Sequence, residues 1–248
     1  MHEIYIKSTI DKTMQPSLFK RAEGCEKRPL LVGLHTWSCD RENQVENMLP
    51  YAEKYNFHLL LPEFRGPNLI SNPDCTKACA SLSARQDIID AIDYICEREN
   101  VDEENIFLLG LSGGGHMAMM MAGYAPLRFK SIGAFVPISN LKVWAEENQH
   151  YSMHVKACCG GREEEMLSRS PINCIDEIAK ANLKIFHGKY DTVVPVTQSI
   201  NFYNELYKKH PDCRVFLDVF DGGHEIDFEA AFYWLLSGQK KNKEAVTG

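Results

Sequence analysis

At 248 residues, with 44% of them hydrophobic and 25% charged, the chain has the size and composition of one globular domain with a substantial buried core, and no stretch is long and apolar enough to span a bilayer. A formal net charge of −7, with basic residues scattered instead of striped, argues against a nucleic-acid partner. The opening residues Met1–Lys7 alternate like a strand and lack the basic-then-apolar layout of an export signal, so a cytoplasmic setting is expected.

In chain order, short apolar runs rich in β-branched and aromatic residues alternate with helix-length amphipathic stretches, the mark of a mainly parallel sheet covered by helices. Ile4–Thr9 and Pro16–Lys20 predict an antiparallel pair of strands. Further strands are expected at Leu30–His35, Phe57–Pro62, Ile106–Gly110, Ile132–Pro137, Leu183–His187 and Arg214–Phe220, making eight. Helices are expected at Gln44–Tyr55, Ser83–Glu97, Gly114–Tyr124, Val196–Lys209 and Ile226–Ser237. Within Ser83–Glu97, Ile88, Ile89, Ile92, Ile95 and Cys96 recur at helical spacing, and Asp87, Asp90 and Asp93 read as its solvated face. Segment 139–180 breaks the rhythm: it is long, irregular and without a strand, the place for a cap or lid over a pocket. Residues 238–248 read as a flexible tail following a single domain of 1–237.

Nine cysteines, Cys25, Cys39, Cys75, Cys79, Cys96, Cys158, Cys159, Cys174 and Cys213, form no CxxC pair and no metal-ligand spacing with histidine. They read as reduced, mostly small core hydrophobes.

The strongest local signal is Gly110-Leu111-Ser112-Gly113-Gly114, placed after the apolar run Ile106–Leu109 and before the helix-forming His116–Ala122. A serine in G-x-S-x-G between a strand and a helix occupies a sharp turn that holds its hydroxyl clear of the backbone, and the helix N-terminus beneath it favours developing negative charge. Such a serine needs a base, and the base needs a carboxylate. Asp191 follows the strand ending at His187, and His224 stands in Gly222-Gly223-His224 after the last strand, in the chain order Ser, Asp, His that this arrangement requires. Of the other histidines, His187 reads as a structural residue at a strand end, His116 lies just inside the elbow helix, and His150 and His154 fall in the expected lid; Asp221 and Asp227 are rival acids that share a loop with His224 and so struggle to reach its far ring nitrogen. The oxyanion donors are expected to be the amides of Gly113 and of Trp37, in the loop after Leu30–His35.

The chain resembles the catalytic domain of the prolyl-oligopeptidase-like branch of the α/β hydrolases. The resemblance runs through Leu34-His35-Thr36-Trp37, Phe64-Arg65-Gly66, Asp87–Ile95, Gly110–Gly114, Ser170-Pro171-Ile172, His187-Gly188 with Asp191 and Val194-Pro195, and Gly223-His224. It implies an α/β-hydrolase fold with Ser112, Asp191 and His224 as the triad, agreeing with the assignment from spacing. The peptidases of that branch carry a large N-terminal propeller, whereas only about thirty residues precede the first core strand here, too few for one. Some also supply a tyrosine hydroxyl to the oxyanion hole, and this loop has no tyrosine.

These departures favour a carboxylic-ester hydrolase acting through an acyl-enzyme, with acetyl or hydroxycinnamoyl esters of plant polysaccharides as a candidate substrate class. Trp37, Trp144, Tyr151 and His154 are the candidate substrate contacts. The alternative is a small peptidase or amidase, and a non-catalytic binding protein on the same scaffold is a third reading. No metal or organic cofactor is implied. The expected partner is a small-molecule or saccharide ester, with no nucleic acid and no membrane, and a homo-oligomer is compatible with the sequence.

Overall fold

The computed structural model describes residues 1–237, so the expected tail 238–248 lies outside the described residues. Eight strands form one sheet: β1 His2–Lys7, β2 Met14–Lys20, β3 Arg28–Leu34, β4 His58–Pro62, β5 Val101–Leu111, β6 Ser131–Phe135, β7 Leu183–Gly188 and β8 Val215–Phe220. Their order across the sheet is β1-β2-β4-β3-β5-β6-β7-β8. From β4 to β8 neighbours run parallel, and β1 and β2 add an antiparallel hairpin at one edge. This is the expected α/β-hydrolase architecture, and each sequence-predicted strand has its counterpart.

The central strands are apolar nearly throughout because both faces are covered. Alternate residues serve opposite layers. Leu30, Val32 and Leu34 of β3 and Ile106 and Leu108 of β5 face one core, while Leu31, Phe107 and Leu109 face the other. Helices α1 (Val45–Lys54) and α9 (Phe228–Ser237) close the second face. The first is covered by α2 (Leu82–Cys96), α3 (Gly113–Tyr124), α7 (Ile175–Ile178) and α8 (Thr197–Lys209). Among the described residues no helix is long and apolar enough to cross a membrane.

Three features depart from the sequence reading. Strand β1 ends at Lys7, because Ser8 N–H turns to donate to Thr13 O (2.8 Å) and closes the hairpin there. Strand β5 starts at Val101, upstream of the apolar run, pairing with Arg28 before a shift in register. Segment 139–180 is helical where an irregular loop was expected: α4 (Leu141–Glu147), α5 (Gln149–Cys158), α6 (Glu163–Ser168) and α7, with a short 3-10 turn at Pro171–Asn173. Helices α4, α6 and α7, of seven, six and four residues, are too short to display a repeating apolar face. The buried side chains of α4, α5 and α6 join Trp37 and Val194 in a third cluster at the carboxyl end of the sheet, while Ile175 and Ile178 of α7 belong to the first core.

Helix α2 does not present Asp87 and Asp90 to solvent. Both are buried. Asp87 is ion-paired with the fully buried guanidinium of Arg65, which also donates to Asp11 Oδ2 (2.8 Å) and to Ser8 Oγ (3.1 Å) in the β1–β2 turn. Asp90 accepts from Thr9 N–H at 2.7 Å and from the Thr9 hydroxyl. Only Asp93 lies at the surface, paired with Arg128. Burial pushes the Asp87 carboxyl up, opposed by its bonds to Arg65, whereas the Arg65 bond holds Asp11 far below the usual carboxylate range. The buried charges thus fasten the edge hairpin to the body of the fold.

Removing one member of such a network leaves a buried charge without its counter-ion, a loss of about 3–5 kcal/mol. Arg65→Met should therefore lower unfolding stability by that amount in a urea titration, and a loss below about 1 kcal/mol, the value of a surface pair, would contradict this account.

Candidate active site

Ser112 joins β5 to α3 and adopts φ 56 and ψ −116, a left-handed conformation that costs a non-glycine residue energy and persists only when its surroundings impose it. Here two chain contacts and two glycines do so. Ser112 N–H donates to Phe135 O on the neighbouring strand (2.9 Å), and Ser112 O accepts the His116 N–H of α3 (2.8 Å). A Cβ at Gly110 would overlap the Gly114 carbonyl, so the strand end and helix start touch backbone to backbone. At Gly113 a Cβ would lie 2.5 Å from both N and Cα of Trp37, which brings the loop after β3 against the start of α3. Gly113 opens α3, so its N–H has no partner within the helix, and the Trp37 N–H is unpaired among the described residues. The two amides expected as oxyanion donors are thus close neighbours.

The acid and histidine come from the loops after β7 and β8, beyond β6 in the sheet. The loop after β7 is drawn to the loop after β8 by Lys189 N–H to Phe220 O and Tyr190 N–H to Gly222 O, both 2.9 Å. His224 Nδ1–H then donates to Asp191 Oδ2 at 2.7 Å. A carboxylate only accepts, so the proton sits on Nδ1 and the Nε2 lone pair of the neutral ring is free. Asp191 Oδ1 accepts the N–H groups of Val193 (2.8 Å) and Val194 (2.9 Å). Its side chain is fully buried. Burial would raise its carboxyl, but the neighbouring His187 and His224 rings and the Val194 N–H outweigh it and hold the group below the usual carboxylate range. Asp191 and His224 are brought together as expected. No hydrogen bond joins His224 to Ser112 among the described residues. In unliganded hydrolases that contact is often long and tightens only around a substrate.

Among the other histidines, His187 is buried and built into the acid loop. Its Nε2–H donates to Val194 O (2.8 Å), it lies 3.5 Å from Asp191 Oδ2, and its Nδ1 accepts from the Ser199 hydroxyl (2.7 Å). That role in holding Asp191 escaped the sequence, although the segment His187-Gly188 was singled out there. His116 donates to Arg169 O (2.7 Å), and burial pushes its imidazole down to about 4, so it stays neutral near pH 7.

The expected substrate contacts divide. Trp144 is a core residue, 1% exposed, and this overturns its reading as a contact. Its ring lies edge-on to Trp37 (4.9 Å between centroids) and stacks on Tyr151 (4.8 Å), while its Nε1–H donates to Val193 O (3.0 Å). The Trp37 side chain is likewise buried in this cluster. Tyr151 is half-buried at the cluster's edge. His154 turns its Nδ1 to accept the Ile70 N–H (3.2 Å).

With this geometry in hand, comparison with known proteins places the chain. Residues 83–244 match the prolyl oligopeptidase family. The chain belongs to that family. The match starts downstream of Trp37 and contains the serine, the acid and the histidine. An acylamino-acid-releasing enzyme 2 of Oryza sativa subsp. japonica is 26% identical over 200 residues, covering 73% of this chain and 26% of that protein. An uncharacterized peptidase YtmA of Bacillus subtilis is 26% identical over 130 residues, 51% of this chain and 50% of that protein. The chain thus spans about a quarter of the first relative and half of the second. In three dimensions, an uncomplexed acylaminoacyl peptidase of Pyrococcus horikoshii superposes with a TM-score of 0.75 at 21% identity, over 99% of this chain and 42% of that one, which shows a shared fold. As a member of this family the chain is a serine hydrolase.

Because Trp144 fills the cluster beside the acid loop, Trp144→Ala should cost about 3–5 kcal/mol of unfolding free energy in denaturant titrations, the cost of truncating a core tryptophan. A change of substrate preference at unaltered stability would return Trp144 to the substrate.

Proposed function

We propose that this chain hydrolyses amide bonds of small acylated peptides through an acyl-enzyme, with Ser112 as nucleophile, His224 as base and Asp191 as the acid that orients it. The observation that carries the proposal is the 2.7 Å bond from His224 Nδ1–H to a buried Asp191, on loops at the same end of the parallel sheet as the left-handed turn at Ser112 that follows β5. Asp191 fixes the tautomer that leaves Nε2 free to take the serine proton and stabilises the imidazolium that results. The Ser112 oxygen attacks the acyl carbon, and the carbonyl oxygen gains charge beside the amides of Gly113 and Trp37. The imidazolium returns its proton to the leaving amine. Water, deprotonated by the same histidine, then releases the acid and restores the serine.

The leaving group is where the sequence reading and the relatives part. The sequence alone favours an ester, whereas the rice relative is named for releasing acylamino acids and the bacterial one as a peptidase. Those names support an amide substrate with a blocked amino end. The half-buried Tyr151 and the α4–α6 helices, standing over Trp37, are proposed to form the wall that meets the larger part of the substrate.

On one preparation, N-acetyl-aminoacyl nitroanilides and p-nitrophenyl esters are to be compared by kcat/KM. Turnover of the acetylated amides well above that of the free-amine amides is expected, and ester turnover without amide turnover would return the chain to the esterases. Ser112→Ala should lower kcat on the order of a millionfold. Asp191→Asn should lower it by roughly ten-thousandfold, because the imidazole takes the wrong tautomer. Near-normal rates in either variant would sink the assignment.

A further inference from the structure

Strand β8 ends the sheet, and among the described residues no strand pairs with its outer edge. A bare edge is a template for another strand, and proteins ordinarily blunt it with lysine, proline, a bulge or a covering loop. At the far edge, β1 carries Glu3 and Lys7. By contrast β8 reads Val-Phe-Leu-Asp-Val-Phe, with Asp218 as its one charge and no proline or glycine, and its register with β7 runs from Leu183↔Val215 to Gly188↔Phe220 without a bulge. The edge is regular, largely apolar and open.

Pairing with β7 decides which backbone groups of β8 face outward. Leu183 N–H donates to Arg214 O (3.0 Å) and Lys189 N–H to Phe220 O (2.9 Å), so at both ends of the ladder an even-numbered residue faces β7. In a parallel pair alternate residues bond to the neighbour. Val215, Leu217 and Val219 consequently turn their N–H and C=O groups to the free edge. Side chains alternate between the faces as well. Val215 and Leu217 pack into the first core, whereas Arg214, Phe216 and Asp218 lie on the α9 side, where the Phe216 ring meets Trp234 edge-on at 5.5 Å. Phe216 is nonetheless 43% exposed, and Tyr233, next to Trp234 on α9, is 78% exposed.

An antiparallel copy of β8 can reach these outward groups in registers centred on Asp218, Leu217 or Phe216. Centred on Asp218, it sets like charges directly opposite, which is destabilising. Centred on Leu217, it sets each Phe216 ring against a carboxylate. Centred on Phe216, it sets the two phenylalanine rings opposite each other in the closer, non-hydrogen-bonded kind of pair and places Arg214 of each copy opposite Asp218 of the other. Val215 of each copy then exchanges both backbone bonds with Leu217 of the other. Arg214 is exposed and joins no ion pair among the described residues, and Asp218 is exposed with Lys184 at 2.9 Å, so both carry charge out to the edge where the copy would meet it.

We propose that two copies of this chain associate through β8 about a two-fold axis passing between their Phe216 residues, joining the two sheets into one. The edge selects a second copy over a foreign strand because its aromatic and charged positions complement themselves under that rotation. Antiparallel pairing points the carboxyl ends of the two sets of parallel strands in opposite directions, so the two Ser112 turns open at opposite ends of the joined sheet. Strand β8 runs directly into the loop that carries His224, and the pairing holds the strand from which that loop departs.

Sedimentation equilibrium of the full chain is expected to give twice its 28.2 kDa mass. Arg214→Asp, at an exposed position, turns both opposite-charge pairs into like-charge ones and should raise the dissociation constant on the order of tenfold. Adding Asp218→Arg to it should restore the original value, which a variant that had merely unfolded would not do. The register is read by copper–phenanthroline oxidation: Phe216→Cys should give a covalent dimer on non-reducing gels, reversed by dithiothreitol and well above the background from the nine native cysteines. Asp218→Cys, whose positions lie far apart in this register, should stay at that background. A monomer at every concentration, a monomer that dimerises only after residues 238–248 are removed, a dissociation constant indifferent to Arg214→Asp, or cross-linking of Phe216→Cys no greater than that of Asp218→Cys would each overturn the proposal. These measurements read association and no hydrolysis, so their outcome is independent of the proposed activity.

Discussion

The left-handed turn at Ser112 is the constraint on which the remaining arrangement depends. A serine at φ 56 can be held only where strand and helix backbones press directly on each other, and the contacts at Gly110 and Gly113 supply that pressure. The same contact that forbids a side chain at Gly113 brings the Trp37 amide alongside. One tight turn therefore aims the hydroxyl, starts α3 beneath it and recruits the loop after β3. Were α3 to begin even one residue later, these three relations would be lost together.

Asp191 illustrates how a buried charge is kept ionised without a permanent counter-ion. One oxygen is consumed by two backbone amides of its own loop, and the other faces two imidazoles, of which His187 has further partners. The backbone donors are fixed by chain geometry, so the carboxylate is oriented before His224 arrives at it. The loop itself is anchored from outside: His187 fastens Val194 to Ser199, and the Trp144 indole and the Asn148 amide both donate to Val193 O. The short helices between β6 and β7 thus bear on the acid as well as lying over the sheet's end.

Most of the sheet and the Ser112, Asp191 and His224 positions were legible in the sequence because each is written locally. A strand buried on both faces is an apolar run, and the elbow needs glycines on both sides of its serine. What was not legible depends on partners far along the chain. Asp87 and Asp90 look like any solvated helix face until Arg65 and Thr9 are known to stand opposite. Helices α4, α6 and α7 are too short to repeat an apolar face, and what fixes α4 to α6 is burial around Trp37 and Val193, which no local pattern encodes. Trp144 looked like a substrate contact for the same reason, since an aromatic residue in a helix carries no mark of whether a ligand or the protein covers it.

The edge hairpin has a consequence for how the chain is made. Ser8, Thr9 and Asp11 are translated first, but their buried partners are Arg65, Asp87 and Asp90, as far as 81 residues away, and β2 pairs with β4 and not with the strand that follows it. On a ribosome, the turn carrying Ser8, Thr9 and Asp11 waits for Arg65 and then for Asp87 and Asp90 of α2 before its buried partners are complete. Docking of these strands thus waits on residues as late as Asp90, and a nascent chain halted before α2 would expose a sheet edge open to pairing with other chains.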